Sequence, residues 1–251
     1  MSRAQTVIND VLATVDRLRI ETGAEAEKHH DWLRCHDLLA TPDHLQALAK
    51  TVAAGRGTDS VAALSVFVQG YAFRIASVAI GSFVISGDVV SIDPQRTSIP
   101  IDRYRPAAVW LEELELVAAD GDPSVLHREL VDRHLAALVD AAHGAARIGR
   151  PLLWGNIGSA CAESFQTFVE PHAPDAKRIR SLAEEFFATS RPELTRSGRV
   201  APIGDGPQWA WERNACCLWY RTEVSGGNKC DDCSLWTNAE RRARHAEQQQ
   251  G

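Results

Sequence analysis

The sequence predicts a mainly α fold with a small β element (α+β), in which a helical body carries a C-terminal cysteine-rich segment. Two observations predict the helices: apolar residues recur at helical spacing over most of the first two-thirds of the chain, and capping or proline start signals precede several of these stretches. A third predicts the β element, because short, partly β-branched runs separated by proline turns occupy residues 89–111. With 251 residues, 45% of them hydrophobic, the chain is long enough to bury a core as one domain or two.

Three helices are predicted before the β element. Thr41 and Pro42 form a start signal for the second helix, since threonine caps and proline suits a first helical position. Asp59 or Ser60 caps the third and most apolar helix, and Gly87 is its stop signal. The predicted spans are 7–20, ending near residues 22–23, then 42–52 and 61–86.

The middle of the chain changes character and then returns to helices. The runs 89–92, 98–101 and 107–111 are predicted to form two or three strands or a loose hairpin. Three more apolar periodic stretches predict helices over 126–139, 152–168 and 175–187. Beyond Pro192 the pattern becomes a loop rich in glycine and proline. We therefore divide the chain into a mainly helical body (1–197), a C-terminal segment packed on it (198–238) and a polar tail that frays (239–251).

Charge and hydropathy exclude several classes of protein. A formal net charge of −6 argues against an electrostatic nucleic-acid binder, which needs a clustered basic face. The first twenty residues lack the apolar run of a secretory signal. Residues 61–90 are interrupted by Gln69, Arg74 and Asp88, so we expect a buried helix and no transmembrane segment. The expected location is the cytoplasm, with a peripheral position at the inner face of the membrane as the alternative.

Four of the six cysteines lie together near the C-terminus. Cys216 and Cys217 are adjacent, and twelve residues later Cys230 and Cys233 form a Cys-x-x-Cys motif. Four thiolates can bind a metal without any other ligand, and a spacing of two residues aims both sulfurs at one ion. Adjacent residues, however, project in different directions, so the pair converges on one tetrahedral zinc only with strain. A [2Fe–2S] cluster relieves this strain if each iron takes one cysteine of the pair.

The neighbouring residues favour redox chemistry over a structural role. Aromatic packing lowers the local dielectric around a cluster, and four of the seven tryptophans lie near the cysteines. Gly226 and Gly227 supply free N–H groups that can donate to sulfur. From the residues alone three alternatives stay open: an iron–sulfur cluster, a zinc site with a small aromatic core around it, and a redox-active dithiol. The four tryptophans are Trp209, Trp211, Trp219 and Trp236.

The cysteine region resembles the C-terminal signature of the FhuF family, the ferric siderophore reductases that carry a [2Fe–2S] cluster. The matching residues are 213–221, the glycine pair 226–227 and the motif 230–233, and residues 149–156 are similar to a stretch in the body of those proteins. The family pattern has ten residues between the cysteine pairs, so we expect residues 222–225 to bulge outward here. Asp231 stands where the family has glycine, and Ser234 where it has proline.

The resemblance implies an enzyme, a ferric-chelate (siderophore-iron) oxidoreductase. It would reduce siderophore-bound Fe(III) by one electron and release Fe(II) in the cytoplasm. The cofactor implied is a [2Fe–2S] cluster, and no catalytic residue beyond the cluster is predicted. The implied cluster and metal ligands are Cys216, Cys217, Cys230 and Cys233.

Substrate and electron donor are further expectations. The partners implied are a ferric siderophore and an external donor, either a ferredoxin or a flavin or NAD(P)H reductase, since the chain has no dinucleotide- or phosphate-binding glycine motif. Candidates for contact with an anionic ferric complex are Arg213, Arg221, Lys229 and Trp219. The alternative function is a non-enzymatic binding or interaction protein stabilised by zinc on the same four cysteines.

Overall fold

The computed structural model describes residues 1–15, 18–23, 32–102, 105–169, 175–203 and 208–248. The fold is mainly helical with a few small sheets, which confirms the predicted class. The α-helices are α1 (Arg3–Thr14), α2 (Cys35–Ala40), α3 (Pro42–Arg56), α4 (Ser60–Ser86), α5 (Pro123–Leu126), α6 (Ala136–Ala145), α7 (Arg150–Thr167), α8 (Ala176–Thr189), α9 (Pro192–Thr195) and α10 (Asn238–Gln248). The strands are β1 (Ile20–Thr22), β2 (Trp32–Arg34), β3 (Val89–Val90), β4 (Thr97–Asp102), β5 (Arg105–Pro106), β6 (Val109–Leu111), β7 (Leu116–Val117), β8 (Gly198–Pro202) and β9 (Trp209–Arg213).

The long apolar helix α4 is the centre of the core. The Asp59 side chain accepts hydrogen bonds from the backbone N–H groups of Val61 and Ala62, and Gly87 closes the helix in the left-handed conformation at φ +76°. Helices α1, α3 and α7 pack against it. Its length and composition would suffice to cross a membrane, but 78% of its most apolar window is buried inside the protein, the environment of a core helix.

The first predicted helix is wrong in its second half. Helix α1 ends at Thr14, and Ile20–Thr22 forms strand β1, which pairs in parallel with Val109–Leu111. Tertiary pairing overrides the helical spacing here, because Ile20 reaches a neighbouring strand that lies far away in sequence. The sheet has the order β1-β6-β4-β2, and β5 pairs with β4 at one side.

The C-terminal region holds more regular structure than its composition predicts. Residues expected to form a loop instead contain the antiparallel hairpin of β8 and β9, because Trp209 and Trp211 are buried and the Trp211 ring stacks on Phe187 at 4.3 Å. The expectation of a frayed tail is also wrong for residues 239–248, which belong to α10. Arg241 of this helix is buried and donates to the Arg213 carbonyl oxygen. Residues 249–251 lie outside the described part.

The predicted helix over 126–139 contains a π-helical segment at His127–Leu135 between α5 and α6. His134 on this segment is fully buried. Its Nδ1 lies 2.6 Å from the Ile92 carbonyl oxygen and its Nε2 lies 2.6 Å from the Tyr71 hydroxyl. Because a carbonyl only accepts, Nδ1 carries the proton and the tyrosine donates to Nε2. Burial lowers the pKa of His134 to about 4.

This buried imidazole predicts a loss of stability in acid. The unfolded chain takes up the proton near the ordinary histidine pKa, whereas the folded chain resists protonation until about pH 4. The free energy of unfolding should therefore fall by about 3 kcal/mol as the pH drops between these two values. Urea unfolding at a series of pH values measures this slope. In His134→Gln the decrease over the same range should be smaller, and an equal slope in the two proteins would contradict the assignment.

Candidate functional site

The four C-terminal cysteines lie on an irregular loop, the cysteine loop (residues 216–233), that follows strand β9. Leu218, directly after the adjacent pair, has the left-handed backbone conformation at φ +63° that a non-glycine residue rarely adopts. In this conformation its backbone N–H points to Cys216 Sγ at 3.4 Å. At the other end of the loop the Trp236 indole N–H donates to the Cys230 carbonyl oxygen at 3.1 Å. The backbone is thus strained at the residue that follows the adjacent pair.

The sulfur atoms form two pairs, each with one cysteine from either half of the motif. Cys216 Sγ lies 3.7 Å from Cys233 Sγ, and Cys217 Sγ lies 3.7 Å from Cys230 Sγ. All four thiols are free, and these separations are far longer than a disulfide bond of about 2 Å. Two thiolates bound at about 2.3 Å to one tetrahedral ion stand about 3.8 Å apart. Each pair therefore has the spacing of two ligands on one metal ion.

The spacing of the four sulfurs indicates which kind of metal group they can bind. Among the described residues, no group of three or more His, Cys, Asp or Glu side chains is arranged so as to hold a metal ion. A single tetrahedral zinc would need all four sulfurs around one point. The two contacts at 3.7 Å fit a group with two metal ions, each of which takes two thiolates, and the contact between Cys216 and Cys217 joins the two pairs.

The electrostatics of the site favour ionisation of one sulfur, that of Cys217. Contacts with the thiols of Cys216 and Cys230, together with the Arg213 guanidinium, lower the pKa of Cys217 despite its burial. The pKa values of Cys216 and Cys230 are raised, chiefly by the contact with Cys217 and then by burial. The neighbouring thiols thus stabilise one thiolate, and a bound metal ion would have to displace the protons of Cys216 and Cys230.

Arg213 is fully buried beneath the cysteine loop. Its Nη1 lies 3.6 Å from Asp232 Oδ2, its Nη2 donates to Asn156 Oδ1 at 2.8 Å, and its Nε donates to the Ala215 carbonyl oxygen. Burial acts to lower its pKa, but the Asp232 carboxylate and the neighbouring cysteines outweigh burial, so the pKa is raised. The placement changes the role that the sequence suggested: Arg213 supports the sulfurs from inside and does not face a substrate in solvent.

Buried hydrogen bonds connect helix α7 to the cysteine loop. Asn156 Nδ2 donates to both oxygens of Ser65 at 2.9 Å, and Ser65 Oγ donates to the Cys217 carbonyl oxygen at 2.7 Å. Ser159, one turn further along α7, donates to Asp232 at 3.1 Å. The stretch 149–156, which carried part of the family resemblance, therefore contacts the cysteine loop through Asn156.

The residues on either side of the strand pair β8–β9 come close to α7 because two helical residues there lack side chains. A Cβ on Gly155 would lie 2.8 Å from Ala215 Cβ, and one on Gly158 would lie 2.2 Å from Ser197 Oγ. Both distances are shorter than real contacts allow. Glycine at position 155 is thus needed for the residue immediately before Cys216 to pack on the helix.

We expect Gly155→Ala to displace the cysteine loop. The new methyl group must push Ala215 away, at a cost of about 1–3 kcal/mol in the free energy of unfolding, and the protein should lose bound metal faster under a chelator. Gly70→Ala on α4 is the matched control for unfolding, since its Cβ would meet Pro106 Cδ at an ordinary 3.7 Å. Equal unfolding free energies for the two variants in urea titrations would contradict this packing.

The other sequence-predicted site residues lie around the rim of the loop. Arg221 is exposed and forms an ion pair with Asp59, the cap of α4. The Lys229 ammonium lies 4.1 Å from the centre of the Trp236 ring, against which Arg244 also packs at 4.2 Å. These cations therefore have partners within the protein. The sequence had suggested them only as contacts for an anionic substrate.

The structure shows where two departures from the FhuF pattern lie, the longer spacer and Asp231. Residues 222–225 do not form a free bulge: Glu223–Ser225 makes one 3₁₀ turn, capped by the Thr222 side chain, in which Thr222 and Ser225 are buried. Glu223 and Val224 are exposed, Val224 with 66% of its surface. Asp231 lies 3.8 Å from Arg244, so the extra carboxylate has a cationic neighbour. The charge that Asp231 adds near the sulfurs is thus partly balanced.

A cleft of about 760 Å³ opens beside one of the sulfur pairs. Cys217, Cys230 and Trp219 line one part of it, so the structure brings Trp219 together with the cysteines as the sequence suggested. The cleft also has basic residues that were not predicted from the sequence, because they come from four separate parts of the chain and form no local motif. These are Arg19, Arg56, Arg74 and Arg105.

No known protein family model matches the chain, and no curated protein matches it. The candidate site is therefore defined by its own residues and geometry.

Proposed function

We propose that the protein is a ferric chelate reductase that carries a [2Fe–2S] cluster on Cys216, Cys217, Cys230 and Cys233. The observation that carries the proposal is the division of the sulfurs into two pairs, each at 3.7 Å and each drawn from both halves of the motif. In this pairing Cys216 and Cys233 would hold one iron, and Cys217 and Cys230 would hold the other. The adjacent cysteines then serve different irons, which removes the strain of placing both on one ion.

When bound, such a cluster supplies one-electron redox chemistry close to the surface. The residues of the chain control its surroundings. Arg213 places a buried positive charge beneath the sulfurs, which stabilises the thiolates and favours the more negative, reduced state. Trp219 and Val224 shield the side toward the cleft, and Cys217 and Cys230 are the ligands that line it. A ferric chelate in the cleft would lie next to this sulfur pair.

The electron balance requires an external donor. One electron enters from a soluble carrier and leaves to Fe(III), which becomes Fe(II) and is held far more weakly by hard oxygen donors. The chain contains no dinucleotide- or phosphate-binding glycine motif that would supply the electron internally. We propose a ferredoxin or a flavin or NAD(P)H reductase as the donor. We also propose a cytoplasmic location, because free, closely spaced thiols are typical of a reducing compartment.

Anaerobic reoxidation of the reduced protein tests the function. Protein purified without oxygen is reduced with dithionite, freed of excess reductant and mixed with a ferric siderophore in the presence of a colorimetric Fe(II) chelator. We expect the visible absorption to return as Fe(II) accumulates, one iron reduced per electron stored. A protein that stays reduced while ferric chelates of several classes are added would contradict the proposal.

A further inference from the structure

The cleft beside Cys217 and Cys230 has the volume of a small-molecule site. Its size, about 760 Å³, lies within the range of roughly 300–1,000 Å³ that is usual for ligand pockets. The sulfur pair and Trp219 line part of it, and β5 with its neighbour Ala107 lines another part. A ligand of this size would therefore contact both the cysteine loop and the helical body.

Two arginines in the cleft lack the acidic partners that surface arginines commonly have. Among the described residues, neither Arg56 nor Arg105 forms an ion pair, although many other arginines do so. Arg56 Nε is buried and has no hydrogen-bond acceptor within that part of the chain. Burial and the charge of Arg105 both lower the pKa of Arg56, so the two cations lie close enough to repel each other. A buried donor and a like-charge pair are both stabilised by a bound anion.

The remaining charged groups of the cleft leave an excess of positive charge. Arg19 is paired with Glu21 at 2.9 Å, and Arg74 donates to a backbone carbonyl oxygen of its own helix. Asp102 and Glu163 are the acidic residues of the lining, and Asp102 lies opposite Arg105 across strands β4 and β5. Apart from the cysteine sulfurs and any metal group on them, the lining has four arginines against two carboxylates, in a protein whose overall charge is −6.

We infer that this cleft selects anionic ferric chelates, with Arg56 and Arg105 as the residues that bind their ligand oxygens, and discriminates against neutral tris-hydroxamate chelates. The inference rests on the proposed function and names the class of substrate. Guanidinium groups donate paired hydrogen bonds to anionic oxygens. Trp219 lines the same cleft, and aromatic side chains pack favourably on the ring of a catecholate ligand. The tris-catecholate complexes, which are trianionic, match both features.

Binding of gallium complexes separates this inference from the redox proposal, because Ga(III) is not reduced. The holoprotein is titrated by calorimetry with the gallium complex of a hexadentate tris-catecholate and with that of a neutral cyclic tris-hydroxamate. We expect the catecholate complex to bind at least about tenfold more tightly, with an affinity that falls as salt is added. Arg56→Gln and Arg105→Gln should each weaken catecholate binding about tenfold and leave hydroxamate binding unchanged.

Arg147→Gln is the matched control, since Arg147 is exposed and lies outside the cleft lining. It removes the same charge and should leave both affinities unchanged. The inference would be overturned by equal affinity for the two complexes, by absence of binding, or by an affinity of the unmodified protein that does not depend on salt. The salt dependence is measured on the unmodified protein, so this result does not require any variant to fold. If chelate reduction persists with hydroxamates and does not depend on Arg56 or Arg105, the proposed function stands and this inference fails.

Discussion

Replacement of Cys217 by serine is expected to abolish the visible absorption of the proposed cluster and the proposed reduction of ferric chelates. Cys217 contacts the thiols of both Cys216 and Cys230, so its loss removes one ligand and disrupts a sulfur pair. Serine is a poor ligand for iron in a cluster built on thiolates. Serine at Cys216, Cys230 or Cys233 should have the same effect. The measurement is the visible spectrum with iron and sulfide content after anaerobic purification.

Cys161→Ala is the matched control for this series. Cys161 is a fully buried free thiol on α7, and burial raises its pKa far above the ordinary value, as expected of a small apolar core residue. Its removal should leave the absorption per chain unchanged. Retention of full absorption by Cys217→Ser, or its loss in Cys161→Ala with the fold intact by circular dichroism, would contradict the assignment of ligands.

Replacement of Arg213 by leucine should have the second largest effect. It leaves Asp232 and Asn156 without their buried partner, and removal of one member of a buried ion pair costs about 3–5 kcal/mol. The midpoint potential should also fall, because a positive charge beneath the sulfurs is lost. Urea unfolding of the holoprotein and a spectroscopic redox titration measure the two effects.

Two further variants control the Arg213 experiment. Arg213→Lys keeps the charge but not the planar fork, so the potential should change less than in Arg213→Leu while stability still falls. Arg96→Gln breaks an ion pair between exposed side chains, Arg96 and Glu113, and should cost less than about 1 kcal/mol. An unfolding free energy and a potential that both stay unchanged in Arg213→Leu would show that the buried network does not support the site.

The ends of helices were predictable from the sequence where contacts within a few residues determine them. Asp59 and Gly87 mark the ends of α4, and both do so through contacts within a few residues. Strand β1 was missed because Ile20–Thr22 pairs with residues nearly ninety positions away. The hairpin of β8 and β9 was missed because burial of Trp211 depends on Phe187 of another helix. Local spacing carries no information about such partners.

The candidate site also has residues that were predictable from local sequence and residues that were not. Cys216, Cys217, Cys230 and Cys233 are visible as a motif, since thiolate ligands must lie near each other on a short loop. Arg213 was found, but its burial was not, because Asn156 and Asp232 close over it only in the folded protein. Arg56 and Arg105 could not be found at all. They meet at the cleft from α3 and β5, two elements that the sequence does not connect.

Metal and sulfide analysis of protein purified without oxygen tests the central claim most directly. We predict two iron ions and two acid-labile sulfides per chain, the composition of a [2Fe–2S] cluster, with a red-brown colour that dithionite bleaches. This result would agree with the separation of the sulfurs into the pairs Cys216/Cys233 and Cys217/Cys230. A colourless protein that holds one zinc ion per chain and no sulfide would contradict the account.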